Sequence, residues 1–256
     1  MPRYRLLALD LDGTTLTEEK TLTEETRKWI LRAEQAGVTV IFATGRGTQT
    51  TQQYWEELGL NSPMVLVNGA EIWDSPGVLR KRYTIDREHI RKLHKLAVEW
   101  GAYFWGYSAE SLTSKRNWTE SMFDRDWMKF GIRHDDPATI LKLRDIVRSW
   151  GTLEITASAP VNMEIAPLGI SKESGVRAVC DRLGIGMDEV MAIGDNLNDL
   201  RLIRAAGLGV AMGNADDELK QAAGAMTDTN ERDGVAKAIR RYLFGLDFDH
   251  SEAAAM

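Results

Sequence analysis

Short apolar runs alternate with segments whose apolar positions recur every three or four residues, and this alternation fills both ends of the chain but not its middle. Residues 5–9 (RLLAL) form the first run. From Thr21, which stands at capping-box spacing from Glu24, a helical pattern continues through Trp29, Ile30 and Ala33 to Gly37. A second run, rich in β-branched residues, covers 38–43. A helix is predicted over 47–58, closed by Gly59, and a third strand over 64–67. Strands buried on both faces read as continuous apolar runs, and strand–helix–strand succession of this kind requires parallel crossovers. The same order returns later: a helix capped by Ser171 and stopped at Gly184, a strand over 190–193, a helix over 197–206, a strand over 208–212, and helices near 215–223 and 233–243. From Gly245 the chain loses periodicity and is expected to fray.

Residues 83–167 follow a different pattern. A helix is predicted over 86–99, apolar alternation marks 103–107 and 111–115, a helix is expected over 119–130, and strands over 152–157 and 161–166. The segment 136–149 fits a helix that could open with a short strand. Strand–turn–strand pairs among helices point to an antiparallel α+β module inserted into a doubly wound parallel domain. The expected division is therefore a core of residues 1–82 and 168–256 with an insert of 83–167.

The polar residues that end the apolar runs carry the chemistry. In open parallel sheets ligands bind beyond the carboxyl ends of the strands. Here those ends read Asp10-Leu11-Asp12-Gly13-Thr14, Thr44-Gly45-Arg46, Asn68-Gly69-Ala70 and Gly194-Asp195-Asn196-Leu197-Asn198-Asp199. Folded as one sheet, they gather Asp10, Asp12, Asp195 and Asp199 on a single rim. Like charges so close raise one another's pKa or require a cation. An all-oxygen donor set without His or Cys suits a hard ion such as Mg²⁺. Asp10 and Asp12 lie two residues apart in extended chain, about 6–7 Å along it and on the same side. That spacing lets one acid attack phosphorus while the other protonates the leaving oxygen. Lys172 opens a helix, where it gains nothing from the dipole but where an anion is welcome. Three ionised acids and a phosphate dianion give a charge of about −5, against about +4 from Mg²⁺, Lys172 and Arg46 with Asp12 protonated.

Composition narrows the alternatives. The 256 residues carry 32 Lys+Arg and 38 Asp+Glu, a formal net charge of −6. Twelve bases and twelve acids balance within 83–167, so the excess lies in the flanking halves. An acidic chain without a basic face is not expected to bind nucleic acid. No stretch approaches the roughly 20 apolar residues that span a bilayer, and no secretion signal is expected at the N-terminus. A single cysteine, Cys180, excludes an internal disulfide and a cysteine zinc site; its helical spacing assigns it to the core. No Walker-type loop occurs. Gly207 and Gly209 follow a helix, the reverse of a dinucleotide-binding context. The expected protein is cytoplasmic, monomeric or weakly dimeric, and served by a small molecule. Most aromatics of the insert, Trp100 to Phe130, are expected to form its core, with a few free to stack on a substrate ring.

The four strand-end motifs, in this order, resemble those of the haloacid dehalogenase-like (HAD) superfamily of phosphohydrolases, and within it the Cof-type group with a large α+β (C2-type) cap. DLDGT at 10–14 is similar to the first motif, Thr44 with Gly45-Arg46 to the second, Lys172 to the third, and GDNLND at 194–199 to the fourth. The core segments that carry them make up about two-thirds of the chain. The resemblance implies a doubly wound, Rossmann-like α/β core with residues 83–167 as the cap. It implies that Asp10 becomes an aspartyl-phosphate and that Asp12 acts as acid and then base. Mg²⁺ would be held by the side chains of Asp10 and Asp195 and the main-chain carbonyl of Asp12. Thr44, Gly45, Lys172, Asn198 and the amide of Leu11 would hold the phosphoryl oxygens. Asp199 would orient Lys172 or a metal-bound water, while Arg46 and Asn68 would steer substrate or cap. Glu173 departs from the family pattern, which often has glycine after the lysine, and is expected to point away along its helix. The implied activity is Mg²⁺-dependent hydrolysis of a small phosphorylated metabolite, with sugar phosphates as the default. A phosphomutase or phosphotransferase on the same scaffold, or a non-enzymatic phosphate-sensing module, remains open.

Overall fold

The computed structural model describes residues 3–246; the expected fraying tail falls almost wholly on 247–256, outside the described residues. The first strand, β1 (Leu6–Leu9), is wholly buried. Helix α1 (Glu24–Gln35) is capped by Thr23 rather than Thr21: the Thr23 hydroxyl accepts from the Thr26 amide at 3.1 Å. Thr21 is tied instead into a turn with Thr17, its amide donating to the Thr17 hydroxyl at 3.2 Å. β2 (Thr39–Phe42) and α2 (Thr48–Leu58) follow as expected, with Gly59 left-handed at the helix end.

The third strand differs from expectation. β3 (Met64–Leu66) does not extend the parallel sheet; it pairs antiparallel with β4 (Glu71–Ser75), which in turn pairs with β5 (Val78–Arg82). One parallel bridge, Ala43 to Val65, joins it to the end of β2. The chain reverses so soon because Val67, Asn68 and Gly69 all have positive φ, at 52°, 55° and 95°. Two consecutive non-glycine residues there are strained, a feature that concentrates at functional sites.

The insert begins with α3 (Arg87–Glu99), β6 (Tyr103–Ser108) and β7 (Leu112–Ser114). The helix expected over 119–130 is not formed. A short 3₁₀ segment covers Glu120–Asp124, and Trp127–Arg133 is a strand, β8. Phe123, Trp127 and Phe130 fall at helical spacing, but β8 is the central strand of its sheet and buried on both faces. A strand in that position loses the period-two signature that would have revealed it. Helix α4 (Pro137–Ser149) opens directly on an Asp136 cap with proline in its first turn, without a preceding strand. β9 (Leu153–Thr156) and β10 (Asn162–Pro167) complete an antiparallel sheet of order β7-β6-β8-β10-β9. A separate hydrophobic core, including Ile90, Leu93, Phe104, Phe130, Ile132, Ile140 and Leu143, lies between this sheet and helices α3 and α4.

The chain returns through α5 (Lys172–Leu183), β11 (Val190–Gly194), α6 (Leu200–Ala205), β12 (Leu208–Ala211), α7 (Asp217–Ala222), β13 (Ala225–Met226) and α8 (Gly234–Ala238). The main sheet is parallel throughout, in the order β13-β12-β11-β1-β2. β1 lies beside β11 with Leu9 opposite Ile193, so the residues after both strands emerge together on one rim. Cys180 is buried in the main core, as its spacing implies. No helix among the described residues is long and apolar enough to cross a membrane.

Candidate active site

Asp10 leaves β1 with its amide still bonded to the Ile193 carbonyl at 3.1 Å, and Asp195 leaves β11 one step further along the neighbouring strand. Both are buried, as is Asp199 at the start of α6. One carboxylate oxygen from each of the three acids lies within 4.8 Å of the others. Two glycines make this crowding possible. A Cβ on Gly13, whose φ is +74°, would collide with the Asp195 carboxylate, and one on Gly194 would collide with that of Asp199.

Lys172, with no exposed surface, is the cation among these acids. Its Nζ lies 2.7 Å from Asp10 Oδ1 and 2.7 Å from Asp199 Oδ1. Ser171 caps the helix that Lys172 opens, accepting from the Ser174 amide. Glu173 turns along the helix to Arg177 and keeps clear of the lysine. Asp199 is nearly saturated: its other oxygen accepts from the amides of Asp195 and Asn196, both at 3.2 Å. Asp195 accepts from the Thr14 hydroxyl at 2.8 Å and from Asn196 Nδ2 at 3.2 Å.

Three acids share one ammonium, and the titration of the group reflects that shortage. Burial drives the Asp10 carboxyl well above its ordinary range and outweighs the pull of Lys172, with Asp199 and Asp195 adding to the rise. Burial and then the Asp199 charge push Asp195 up to about 6. Burial works against the Lys172 charge, but Asp10 and Asp199 more than offset it and raise its pKa. The donors are all oxygens, the site is short of positive charge, and Asp10 and Asp195 retain lone pairs that Asp199 has already committed. Residues of this kind fit a hard divalent cation.

Asp12 stands apart from this cluster. Its carboxylate is gripped by Arg46, through Nε at 2.6 Å and Nη2 at 2.7 Å, and by Lys20 at 2.8 Å. Burial alone would raise its pKa, but the hydrogen bonds from Arg46 and Lys20 prevail and hold it at about 2. In this arrangement two cations hold the Asp12 carboxylate ionised.

Asp10, Asp12, Thr44, Gly45, Arg46, Asp195 and Asn198 line one cavity of about 450 Å³. Lys172 and Asp199 do not line it; Lys172 joins it through its pairing with Asp10 and ties Asp199 to the same group. Leu11 has its side chain in the main core. Asn68 sits behind the wall, accepting from Asn198 Nδ2 at 3.3 Å and donating to Glu164 at 2.8 Å. The buried Oδ1 of Asn198 has no protein partner.

Sequence reasoning missed Lys20, Ser158, Lys129 and Glu164, all on the same cavity, and did not specify that Trp105 and Tyr107 are the aromatics facing it. Lys20 belongs to a charged run, Glu18-Glu19-Lys20, that reads as solvated surface. Lys129 and Glu164 had a usable signal: each is a single charge inside an otherwise apolar run, Trp127-Met128-Lys129-Phe130 and Met163-Glu164-Ile165.

A family sequence profile described as haloacid dehalogenase-like hydrolase matches residues 7–146 and 115–239. The chain belongs to that family. Within it, this hydrolase is a Cof-type phosphatase. It is 41% identical over 93% of its length to 96% of the 5-amino-6-(5-phospho-D-ribitylamino)uracil phosphatase YcsE of Bacillus subtilis. It is 29% identical over 93% of its length to 98% of the pyridoxal phosphate phosphatase YbhA of Escherichia coli. A solved haloacid dehalogenase-like hydrolase from B. subtilis shares the fold at a TM-score of 0.87 and 24% identity, covering 93% of this chain and all of that one.

Proposed function

We propose that this hydrolase is a Mg²⁺-dependent phosphatase of a small phosphorylated metabolite, with Asp10 as its nucleophile. The observation that carries the reading is the pairing of Asp10 with a wholly buried Lys172 at 2.7 Å, beside Asp195, on the floor of a metabolite-sized cavity. Mg²⁺ held by Asp10, Asp195 and the Asp12 carbonyl would supply the positive charge that the acids and a phosphoryl group need together. Lys172 holds Asp10 in place for attack on phosphorus, and the bond to the leaving alcohol breaks as the aspartyl-phosphate forms. Thr44, Gly45, Lys172, Asn198 and the Leu11 amide receive the phosphoryl oxygens. Asp199 orients Lys172.

Asp12 delivers a proton to the leaving oxygen and later takes one from the attacking water. For the first task it must part from Arg46 and Lys20, for which an arriving phosphate dianion competes, and take up a proton from solvent once their pull is gone. Arg46 thus serves to draw substrate in, and Asn68 links that region to the insert. Residues 83–167 act as the cap over a core of 1–82 and 168–256, excluding water while the phosphoryl group moves. The substrate is a phosphomonoester of a polyol or sugar-like alcohol; the name of the 41% identical relative contains such a phosphorylated ribityl group. The protein is cytoplasmic, monomeric or weakly dimeric, with neither nucleic acid nor membrane as a partner.

The test is phosphate release from a panel of phosphorylated metabolites, with no acceptor sugar present. Hydrolysis in Mg²⁺ that stops with EDTA and returns with Mg²⁺ is the expected result. Silence across the panel would overturn the activity, and indifference to chelation would remove the metal.

A further inference from the structure

The sheet of the insert turns one face to α3 and α4 and the other to the catalytic rim, and charge sits in the middle of that second face. Cross-strand pairing places Tyr107 opposite Lys129, and both Trp105 and Glu164 opposite Gly131. Gly131 is required there, since a Cβ would collide with the Trp105 indole. Lys129 and Glu164 are only 3% and 7% exposed and lie 3.1 Å apart. Burial would raise the Glu164 pKa, but Lys129 and the hydrogen bonds to Glu164 bring it below its ordinary value, so it is ionised.

A buried ion pair is a poor stabiliser: apolar side chains of similar volume usually serve as well or better. The bonding of this pair is also incomplete. The Lys129 ammonium has three N–H groups and gives one to Glu164 and one to the Gly45 carbonyl at 2.8 Å; its remaining neighbour is the Tyr107 ring face, 5.1 Å away. Glu164 Oε2 accepts from Lys129 and Asn68, whereas Oε1 has only a long 3.3 Å bond from Ser158. A spare donor and a spare acceptor therefore line the same cavity as Asp10, flanked by Trp105 and Tyr107. The phosphate end already has Lys172, Arg46 and Lys20.

We infer that Lys129 and Glu164 are specificity-determining residues that read the leaving alcohol, Lys129 donating to one of its oxygens and Glu164 accepting from one of its hydroxyls. The inference rests on the phosphatase reading above and deepens it. The pair selects polyhydroxylated alcohols and rejects alkyl chains of the same length. A site built to hydrogen-bond a hydroxyl discriminates strongly against an analogue without one, because its own buried groups are then left unpaired.

Ribitol 5-phosphate and n-pentyl phosphate share a five-carbon chain and differ in hydroxyls. Steady-state kinetics in Mg²⁺ should give the wild type a kcat/KM ratio of at least about 100 in favour of ribitol 5-phosphate. Glu164→Gln, which keeps the shape but replaces the spare acceptor with a donor, should cut that ratio at least tenfold, and Lys129→Met should do the same. A wild type that treats both esters alike overturns the inference even if neither variant folds. Parallel losses on both esters overturn it too, since they mark a merely structural pair. If the wild type releases phosphate from neither compound nor from p-nitrophenyl phosphate, the phosphatase reading fails and the inference falls with it.

Discussion

Two buried lysines stand near the cavity, Lys129 in its lining and Lys172 paired with Asp10, and their surroundings differ in one respect. Lys172, in the core, meets two carboxylates at 2.7 Å with a third close by. Lys129, in the insert, meets one carboxylate and a main-chain carbonyl. The first cluster is short of positive charge, and its acids Asp10 and Asp195 are pushed up in pKa. The second is balanced, and its acid Glu164 is drawn down. An unbalanced buried cluster calls for added positive charge, which on the proposed reading a divalent cation supplies. A balanced one stands alone and can offer its spare valences to whatever neutral chemistry enters. On the proposed reading, reaction chemistry and substrate choice are divided between a rim of strand ends and the face of a sheet.

The largest expected effect removes the proposed nucleophile from the unbalanced side. Asp10→Asn is nearly isosteric and takes a negative charge from a crowded site, so its Tm should stay within a few degrees of the wild type. Phosphate release should fall at least about 10³-fold, as when a covalent nucleophile is lost. Retained activity in a folded Asp10→Asn protein would dismiss the covalent route.

The contrast between the lysines is sharpened by removing each in turn. Lys172→Met strips the counter-charge from buried Asp10 and Asp199, and breaking such a pair costs about 3–5 kcal/mol. For a chain of this size that lowers Tm by about 5–15 °C, together with a loss of at least about 100-fold in kcat/KM. Lys129→Met leaves one acid, which still accepts from Asn68 and Ser158, so its Tm should fall by less. Equal falls in thermal melts would show that charge shortage does not separate the two clusters.

These regions also differ in how far the sequence disclosed them. The rim was legible because parallel strands buried on both faces appear as apolar runs, and a polar residue directly after such a run has no packing reason to be there. Asp10, Thr44 and Asp195 are all marked in that way. Asn68 was marked too, although the strand before it turned out to be antiparallel, because the left-handed turn at 67–69 leaves no trace in hydrophobic pattern. β4 and β5 went unseen since β5 is exposed along its length and mixes Val78 and Leu79 with Arg80, Lys81 and Arg82. In the insert, Lys129 sits mid-strand, within a stretch whose aromatics imitate helical spacing. Its partner Glu164 is 35 residues away, and only the antiparallel register brings them together. Local pattern finds chemistry at the ends of elements far better than chemistry in their middles.

The smallest expected effect separates the clusters by pH, because their acids are displaced in opposite directions. Asp195 titrates at about 6 in the folded chain against an ordinary value near 3.8. Without a divalent ion, the native state therefore binds more protons than the unfolded state across roughly pH 4–6, and this group makes stability fall as pH rises through that window. Above it, the buried charge is fully present and uncompensated, so an added cation has most to contribute. Below about pH 6 a cation must first displace a proton. Glu164 has the reverse sign: its contribution is complete above the ordinary carboxylate range and is lost only in stronger acid, as pH falls through its lowered pKa. Between pH 5 and 7.5 it stays ionised and silent. The rise in Tm on adding Mg²⁺ should accordingly be a few degrees larger at pH 7.5 than at pH 5. Asp195→Asn should reduce that difference, while Glu164→Gln should leave it in place. An Mg²⁺ increment that is the same at both pH values would mean that the raised carboxyls of the rim do not hold the ion.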